Sequence, residues 1–290
     1  MSMTVSIFLM GGLGNQLFQI FAVLSYCIKY GYNLVIPYLE TLNTGEIRAT
    51  YWNNFLTGLK QFTNYNGELS TQYLQSFPIF RELDFTYVPF FPLDSTISNS
   101  IMFFGYFQSY KYFEETQDKI FELINLEKQK EQVKTNYYFF GEDVVSMHFR
   151  LGDYINIQDC HPLMPETYYV NALTYILGHT VNKPKTVLYF CQEQDNHIVE
   201  NVISKLQKYE LFKDLIFVKA SDKIQDWQQM LLMSVCSHNI IANSTFSWWG
   251  AYLNTNKDKK VCYPSLWFGY KLQKNLKDLF PNEWVRIDIK

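Results

Sequence analysis

Three side chains that can bind anions or move protons lie within six residues in the middle of the chain, in the segment HFRLGDY (148–154). His148 and Arg150 are two residues apart, so their side chains share one face if a strand continues that far. The planar guanidinium group of Arg150 can bind two phosphate oxygens at once. Asp153 can brace that arginine or bind a hydroxyl group, and Gly152 lets the backbone turn. A buried histidine beside a surface arginine–aspartate pair is the alternative, but the clustering favours an anion site.

A second polar segment enters a helix in the last quarter of the chain, in NIIANSTFSWWGAYL (239–253). Asn243, Ser244 and Thr245 are residue types that cap helix N-termini, so capping alone could explain them. A helix N-terminus with free backbone N–H groups and nearby hydroxyl groups also binds anions. The segment is therefore a second candidate site for a phosphate group.

The glycine-rich segment GGLGNQLFQ (11–19) follows an apolar run near the start of the chain. A dinucleotide-binding loop has the pattern G-x-G-x-x-G/A, and here Leu17 stands at the third glycine position. Asn15 and Gln16 introduce two side-chain amides, which both donate and accept hydrogen bonds and so suit sugar hydroxyl groups. A simple strand-to-helix turn with an asparagine cap is the equally weighted alternative.

Several common catalytic motifs are missing from the sequence. There is no G-x-S-x-G, no H-E-x-x-H and no P-loop lysine, which argues against a serine hydrolase, a zinc protease of that class and a P-loop NTPase. There is also no D-x-D pair, and the nearest acidic segment is EQD (193–195). A divalent metal bound to a nucleotide diphosphate needs placed carboxylates. Arg150 and a helix N-terminus could neutralise a leaving diphosphate instead.

Alternating strands and helices must position these segments. The first half is predicted to contain strands at 4–10, 33–37 and 100–108, and helices at 15–31 and 112–134. Between residues 40 and 100 the pattern is irregular, with a strand expected near Phe85. The second half is predicted to contain strands at 143–150, 186–191, 215–218, 239–242 and 260–264, and helices at 165–179, 196–209, 224–236 and 244–253.

This alternation predicts right-handed β-α-β units and a doubly wound parallel sheet in the second half. In such sheets ligands bind beyond the carboxyl ends of the strands, where the polar segments lie. We place a boundary near 135–142 and predict two domains, 1–138 on the acceptor side and 139–290 for donor binding. The chain has 290 residues, which suits two domains.

Composition excludes several other classes. The net charge of −3 and the lack of a basic run argue against binding of nucleic acid. Five widely spaced cysteines without a C-x-x-C pair argue against a disulfide framework or a zinc site and favour a reducing compartment. No signal peptide and no apolar run of ~18 residues is visible. We therefore expect a cytoplasmic protein without a transmembrane segment, which could associate peripherally with the inner membrane face.

Together the three segments resemble the alpha-1,2-fucosyltransferases of glycosyltransferase family 11. That family is marked by G-G-x-G-N-Q, then H-x-R-x-G-D-Y, then N-S-[ST]-F-S-W-W-G. This chain has GGLGNQ, HFRLGDY and NSTFSWWGAYL in that order, and GYFQSYKYF (105–113) also resembles a stretch common in the family. The likeness extends from about Ser6 to Trp284.

The resemblance implies an α/β, GT-B-like fold, with two Rossmann-like domains and a cleft between them. It implies GDP-fucose as the donor substrate and a galactose-terminated glycan, soluble or lipid-linked, as the acceptor. The reaction would invert the anomeric centre and form an alpha-1,2 linkage. No metal and no cofactor would be required.

The resemblance also assigns site residues by position. Arg150 would bind the diphosphate and stabilise the departing GDP, and His148 and Asp153 would line the same pocket as further catalytic residues. The donor-binding residues would be Arg150, Asn243, Ser244, Thr245 and Phe246. The residues facing fucose and the acceptor would be Gly12, Asn15 and Gln16.

One segment departs from the family pattern. Many relatives carry F-S-D-D after the strand that here ends in YFCQEQD (189–195), so Glu193 or Asp195 takes the place of that pair. The departure bears most on the identity of the donor sugar. For the base that deprotonates the acceptor hydroxyl group, Asp153 and Asp159 are the candidates.

Three other functions stay open at the level of sequence. The first is an inverting transferase of the same fold with another acceptor, linkage or donor sugar. The second is a glycan-binding relative without catalytic activity. The third, and the weakest, is a dinucleotide-dependent oxidoreductase.

Overall fold

The computed structural model describes residues 3–43, 45–93, 98–137 and 143–290. The chain divides into two compact units: unit 1 comprises Met1–Gln129 and Asn275–Pro281, and unit 2 comprises Lys130–Lys274 and Asn282–Lys290. The domain boundary predicted at 138/139 lies outside the described residues. The predicted division of labour between an acceptor-side and a donor-binding domain stays a prediction.

Unit 1 is built on a parallel sheet with the strand order β2-β1-β6-β5. A separate antiparallel pair is formed by β3 and β4. The described strands are β1 (Thr4–Ile7), β2 (Asn33–Leu34), β3 (Thr41–Leu42), β4 (Arg48–Ala49), β5 (Ile79–Arg81) and β6 (Ser100–Phe104). The described α-helices that begin in this unit are α1 (Leu13–Tyr30), α2 (Thr71–Gln75), α3 (Gln117–Leu123) and α4 (Leu126–Tyr137).

The β1-α1-β2 start follows the sequence prediction closely. Val5 and Ile7 of β1 are fully buried, as expected of a strand in the middle of a parallel sheet. Helix α1 ends where Gly31 adopts a left-handed conformation with φ of +69°, and the Gly31 N–H donates to the carbonyl of Cys27. This is the helix-terminating geometry that glycine permits at least cost.

A strand was predicted near Phe85, and the structure places β5 (Ile79–Arg81) just before it, with Phe85 itself outside the strand. One prediction in the first half is wrong. The single helix predicted at 112–134 is interrupted between α3 and α4, where Asn125 has φ of +53°. A continuous helix cannot pass through a left-handed residue, and asparagine is one of the residues that adopt this conformation with little strain.

Unit 2 is built on a six-stranded parallel sheet with the order β12-β11-β10-β7-β8-β9. Its strands are β7 (Val144–His148), β8 (Thr186–Phe190), β9 (Ile216–Lys219), β10 (His238–Ile240), β11 (Val261–Pro264) and β12 (Val285–Ile287). The helices are α5 (Glu166–His179), α6 (Asn196–Leu206), α7 (Asp226–Ser234) and α8 (Thr245–Tyr252). The α/β class with two parallel-sheet units, expected of a GT-B-like chain, is thereby confirmed. Strand β12 was not predicted from the sequence.

The central strands of unit 2 form its core. In β7 and β8, Val145 pairs with Val187 in register, and both side chains are fully buried. Helix α5 covers one face of this sheet with Tyr168 and Tyr169. The Tyr168 hydroxyl group donates to the carbonyl oxygens of Ile241, which directly follows β10, and of Cys262 in β11. The sheet therefore gives the strand ends a rigid base.

Side-chain bonds explain why the units divide where they do. Lys130 is buried and its Nζ donates to Thr255 Oγ1 at 2.7 Å, which joins most of α4 to unit 2. Asp278 accepts from Lys111 Nζ at 2.5 Å and from the Tyr87 backbone N–H at 3.2 Å. These hydrogen bonds of Asp278 hold the segment 275–281 in unit 1.

Candidate active site

The carboxyl ends of β10, β7 and β8 lie side by side in unit 2, because these strands are neighbours in the sheet. The segment 148–154 leaves β7, the segment 241–245 leaves β10, and the segment 191–195 leaves β8. All three polar segments singled out in the second half of the sequence thus meet at one edge, where open α/β sheets bind ligands.

His148 is the last residue of β7 and is 7% exposed. Its ring lies 5.5 Å from the ring of Phe246, and its Nδ1 is buried without a hydrogen-bond partner. Burial, with a smaller contribution from the charge of Arg150, lowers the pKa of His148 to about 3. The imidazole is therefore neutral near pH 7 and offers a nitrogen lone pair or an N–H group rather than a positive charge.

Arg150 follows β7 and keeps about a fifth of its side chain exposed. Its guanidinium group pairs with Asp153 and lies 4.9 Å from the centre of the Tyr154 ring. The Tyr154 ring stacks in turn on His161 at 4.6 Å with an interplanar angle of 24°. The ion pair and the ring stack hold the Arg150 side chain in one orientation. His148, Arg150 and Asp153 therefore lie together, as the sequence predicted.

The loop after β7 is braced by a residue that follows β8. Gly152 has φ of +47°, and its N–H donates to Asp195 Oδ2 at 3.0 Å. Asp195 is 2% exposed, whereas Glu193 is exposed. Asp195 therefore fixes the backbone of the loop that carries Arg150. This contact gives the acidic segment EQD (193–195) a structural role that the sequence alone did not assign.

The segment that enters α8 combines helix capping with loop bonding. The Ser244 side chain caps α8 by accepting from the Phe246 N–H at 3.3 Å, and Thr245 is the first helical residue. Asn243 Nδ2 donates to the carbonyl oxygens of Pro162 at 2.9 Å and Trp267 at 3.1 Å. The Oδ1 atom of Asn243 is buried without a partner. Asn243 thus connects the loops that contain Pro162 and Trp267 at the sheet edge, and its Oδ1 atom stays unused as a hydrogen-bond acceptor.

Asp159, one of the two carboxylates considered as a base, is bonded elsewhere. Its carboxylate pairs with Lys271 Nζ at 2.8 Å, and its backbone carbonyl accepts from the Lys271 N–H. The hydrogen bond to Lys271 lowers the pKa of Asp159. A lowered pKa weakens a carboxylate as a proton acceptor, which argues against Asp159 as the base.

In unit 1, the glycine-rich loop lies at the carboxyl end of β1. Gly12 precedes α1, and a Cβ added to it would meet no atom within 4 Å. Asn15 Oδ1 accepts from Gln108 Nε2 at 2.9 Å. Gln16, by contrast, is fully buried, with Nε2 bonded to the carbonyl oxygens of Gly11 and Ala49. The structure therefore differs from the expectation for Gln16, whose side chain braces the loop from inside instead of facing a sugar.

Two further observations describe what the chain offers chemically. Within residues 3–43, 45–93, 98–137 and 143–290, no three His, Cys, Asp or Glu side chains are grouped to hold a metal ion. In the same parts of the chain, no helix has the length and apolar character needed to cross a membrane.

Comparison with known proteins gives a family match. The model of "Glycosyl transferase family 11" matches residues 80–288. The O-antigen biosynthesis glycosyltransferase WbnK of Escherichia coli is 30% identical over 200 residues, which cover 66% of this chain and 62% of that protein. The alpha-1,2-colitosyltransferase of Escherichia coli is 29% identical over 211 residues, which cover 68% of this chain and 66% of that protein. The matches therefore span just under two thirds of each relative.

A solved structure resembles the chain over most of its length. It is a mutant form of Arabidopsis thaliana FUT1 in complex with GDP. The alignment covers 90% of this chain and 70% of that chain, with 13% identity and a TM-score of 0.48.

Proposed function

The chain belongs to glycosyl transferase family 11, and from this premise we propose that it transfers L-fucose from GDP-β-L-fucose to the 2-hydroxyl group of a terminal galactose. The anomeric centre inverts in the transfer and an α-1,2 linkage forms. The acceptor is a galactose-terminated glycan, free or linked to a lipid. Neither a metal ion nor a cofactor is part of the proposal.

The observation that carries the proposal is the arrangement around Arg150. A guanidinium group held by Asp153 and Tyr154 lies at the carboxyl edge of a parallel sheet, beside the strand that leads into α8. A fixed cation beside a helix N-terminus suits a diphosphate group. The same arrangement supports the proposed donor site, with Asn243, Ser244, Thr245 and Phe246 around the nucleotide.

The proposed reaction is a direct displacement at the anomeric carbon of fucose. The oxygen of the acceptor bonds to that carbon as the bond to the β-phosphate breaks, and GDP leaves with the bonding electrons. Negative charge grows on the leaving phosphate in the transition state, and a preorganised Arg150 stabilises it more than it stabilises the ground state. The acceptor proton passes to a base, for which Asp153 is the proposed residue.

A second donor sugar is favoured by one specific observation. The relative named as an alpha-1,2-colitosyltransferase transfers colitose according to its name. Colitose is L-fucose without the 3-hydroxyl group, so the two donors differ by one hydrogen-bonding group. The chain also has EQD (193–195) where F-S-D-D was expected, and Asp195 is buried. GDP-colitose is therefore the second candidate donor.

The test is an assay of GDP release with GDP-fucose and GDP-colitose, each with lactose, N-acetyllactosamine and a lipid-linked galactoside. We expect GDP release that depends on a galactoside and is unchanged by EDTA. Release with GDP-colitose alone transfers the proposal to the second donor. If no pair of substrates releases GDP while GDP still raises the melting temperature, the chain is a binding protein and the enzyme proposal is wrong. A melting-temperature shift with NADH and none with GDP would favour the oxidoreductase.

A further inference from the structure

A half-buried histidine outside the sequence motifs, His161, shares an aromatic ring with Arg150. The imidazole lies 4.6 Å from the ring of Tyr154, with an angle of 24° between the planes. The Arg150 guanidinium group lies 4.9 Å from the centre of the same Tyr154 ring. The ring of Phe268 meets the imidazole edge-on at 5.6 Å. One tyrosine ring thus contacts both the arginine and the histidine, so a change at His161 can reach Arg150.

A second loop fixes the segment that carries His161. We call residues 267–271 the support loop. The N–H of Gly269 in this loop donates to the carbonyl of Cys160 at 2.8 Å. A Cβ on Gly269 would lie 2.2 Å from the backbone oxygen of Asp159, so a larger residue would push the two loops apart. The imidazole is therefore held at a set position beside Tyr154.

The imidazole of His161 is placed by ring contacts, because its Nδ1 is buried without a hydrogen-bond partner. Burial lowers the pKa of His161 below its ordinary value of 6.5, the charge of Asp153 opposes this shift, and the charge of Arg150 adds to it. The imidazole is therefore neutral near pH 7. A proton on it would bring a second positive charge to the ring that already contacts Arg150.

The charges around this imidazole lie on two elements. The charged or titratable groups that face it from its own loop are Arg150, Asp153 and Tyr154. Burial raises the pKa of Tyr154, so its phenol keeps its proton. On the support loop, Phe268 is neutral and Lys271 is paired with Asp159 at 2.8 Å. Arg150 is therefore the cation that a proton on His161 would oppose.

We propose that His161 is a positioning residue for Arg150, which acts through the ring of Tyr154 and only as a neutral imidazole. The neutral imidazole keeps the Tyr154 ring in place, and that ring keeps the guanidinium group in its orientation. This effect on Arg150 is a property of the chain itself. Its consequence for sugar transfer rests on the proposed function, in which Arg150 stabilises the departing diphosphate.

The first test compares His161→Phe with His161→Ala at pH 8. Phenylalanine keeps a flat ring beside Tyr154 and gives up no hydrogen bond of Nδ1, whereas alanine removes the ring. We expect His161→Ala to lower kcat by about two- to tenfold, the effect of one aromatic pair, with the KM for the galactoside within about twofold of wild type. His161→Phe should keep kcat within about twofold of wild type.

The matched control is His179→Ala. His179 also stacks on a tyrosine of unit 2, Tyr175, at 4.0 Å and 15°, but it is exposed on helix α5. Its loss should leave kcat within about twofold of wild type. A His161→Ala protein that is folded, as judged by urea unfolding, and as active as His179→Ala would overturn the positioning role.

The second test is the pH profile, which a purely structural ring would not alter. The ratio of kcat in wild type to kcat in His161→Phe should be constant above about pH 7 and fall in more acidic solution. Its midpoint should equal that of the His161 ring resonance in a nuclear magnetic resonance titration of wild type. Division by the phenylalanine variant removes the contribution of groups such as Asp153. A ratio that stays constant while the His161 resonance titrates would overturn the requirement for a neutral imidazole.

A third measurement separates the inference from the proposed function. In protein labelled with ¹⁵N-arginine, the side-chain Nε–H resonance of Arg150 is one of four and is identified by its absence in Arg150→Lys. It should move as His161 takes up a proton in wild type, and that movement should be absent in His161→Phe. An unmoved resonance overturns the inference even if the chain transfers fucose. A wild-type chain that transfers no sugar refutes the proposed function, while the Arg150 resonance still decides the inference.

Discussion

The carboxyl edges of the two sheets share one construction and differ in what they present. In unit 2, Asp195 follows one strand and accepts the N–H of Gly152 in the loop after the neighbouring strand. In unit 1, Glu82 follows one strand and accepts the N–H of Phe107 in the loop after its neighbour. Both loop residues have positive φ. A carboxylate from the adjacent strand end thus fixes a left-handed residue in each unit.

The difference lies in the side chains that these braced loops carry. The loop of unit 2 carries Arg150 and Asp153, beside the buried and neutral His148. The loops of unit 1 carry the neutral amides of Asn15 and Gln108. Charged groups suit a diphosphate and neutral amides suit sugar hydroxyl groups. The two edges therefore offer different ligand chemistry, with charged groups in unit 2 and neutral amides in unit 1.

The largest expected effect is the loss of Arg150, which tests the carboxyl edge of the unit 2 sheet, called the charged edge here; the corresponding edge of the unit 1 sheet is called the neutral edge. Arg150→Ala should lower kcat by about a hundred- to a thousandfold, since loss of one preorganised contact to a developing negative charge costs about 2.7–4 kcal/mol of barrier. The measurement is kcat for GDP release, with urea unfolding as the check on folding. Arg286→Ala is the matched control, because Arg286 is exposed on β12 and bonds only weakly to the Ser265 carbonyl at 3.3 Å. Near-normal turnover of folded Arg150→Ala would remove the basis for the charged edge.

The next prediction concerns how stability depends on pH. All five histidines lie in unit 2. His148 has a pKa of about 3 in the folded chain against 6.5 as its ordinary value. Below pH 6.5 the unfolded chain binds a proton that the folded chain does not, so stability falls as pH falls from 6.5 towards 3. The contribution of His148 is about 2 kcal/mol lost between pH 8 and pH 5.

Urea unfolding of wild type and His148→Asn at pH 8 and pH 5 measures this contribution. The loss of unfolding free energy on acidification should be smaller in the variant by about 2 kcal/mol. The same loss in both proteins would show that His148 is not held neutral by burial.

A smaller effect tests the left-handed residue Gly152, whose N–H is held by Asp195 in unit 2. Gly152→Ala places a Cβ on a residue with φ of +47°, which should cost about 1–2 kcal/mol of unfolding free energy. The nearest atom to that Cβ is Oε1 at the flexible end of Gln192, which can move aside. Chemical denaturation measures the cost, and Gly178→Ala in helix α5 is the control, with open space and an expected gain in stability. A Gly152→Ala protein as stable as Gly178→Ala would mean that the loop needs no left-handed residue.

The smallest expected change in stability is at the neutral edge. Gly12 has φ of −77°, and an added Cβ meets nothing within 4 Å, so Gly12→Ala should change unfolding free energy by less than about 0.5 kcal/mol. If a sugar occupies that open space, the same methyl group should raise the acceptor KM or lower kcat by at least about tenfold. Unaltered steady-state kinetics would show that no substrate approaches Gly12.

Much of the fold was predictable because its signals are local. Short apolar runs between helical patterns mark buried parallel strands, and the strands β1, β7, β8, β10 and β11 lie within the predicted segments or within one residue of them. The clustering of His148, Arg150 and Asp153 was also predictable, because they are close in sequence. The left-handed Asn125, which divides the predicted long helix, was missed because one asparagine carries only a weak signal in a strongly helical pattern.

The braces were not predictable, since they join residues that are distant in sequence. Asp195 lies 43 residues from Gly152, and Glu82 lies 25 residues from Phe107. The burial of Gln16 likewise depends on the carbonyl of Ala49, 33 residues away. The position of Asp195 in an acidic segment after a predicted strand could have pointed to its contact with Gly152. Glu82 carried no such signal, because the strand was predicted near Phe85 and not at β5.

The central claim is the transfer of fucose to the 2-hydroxyl group of a terminal galactose. The most direct measurement is nuclear magnetic resonance of the product formed from GDP-β-L-fucose and N-acetyllactosamine. We predict an α-anomeric fucose proton and a glycosidic correlation to carbon 2 of galactose. A β-linked product, or a correlation to any other carbon of the acceptor, would contradict the account.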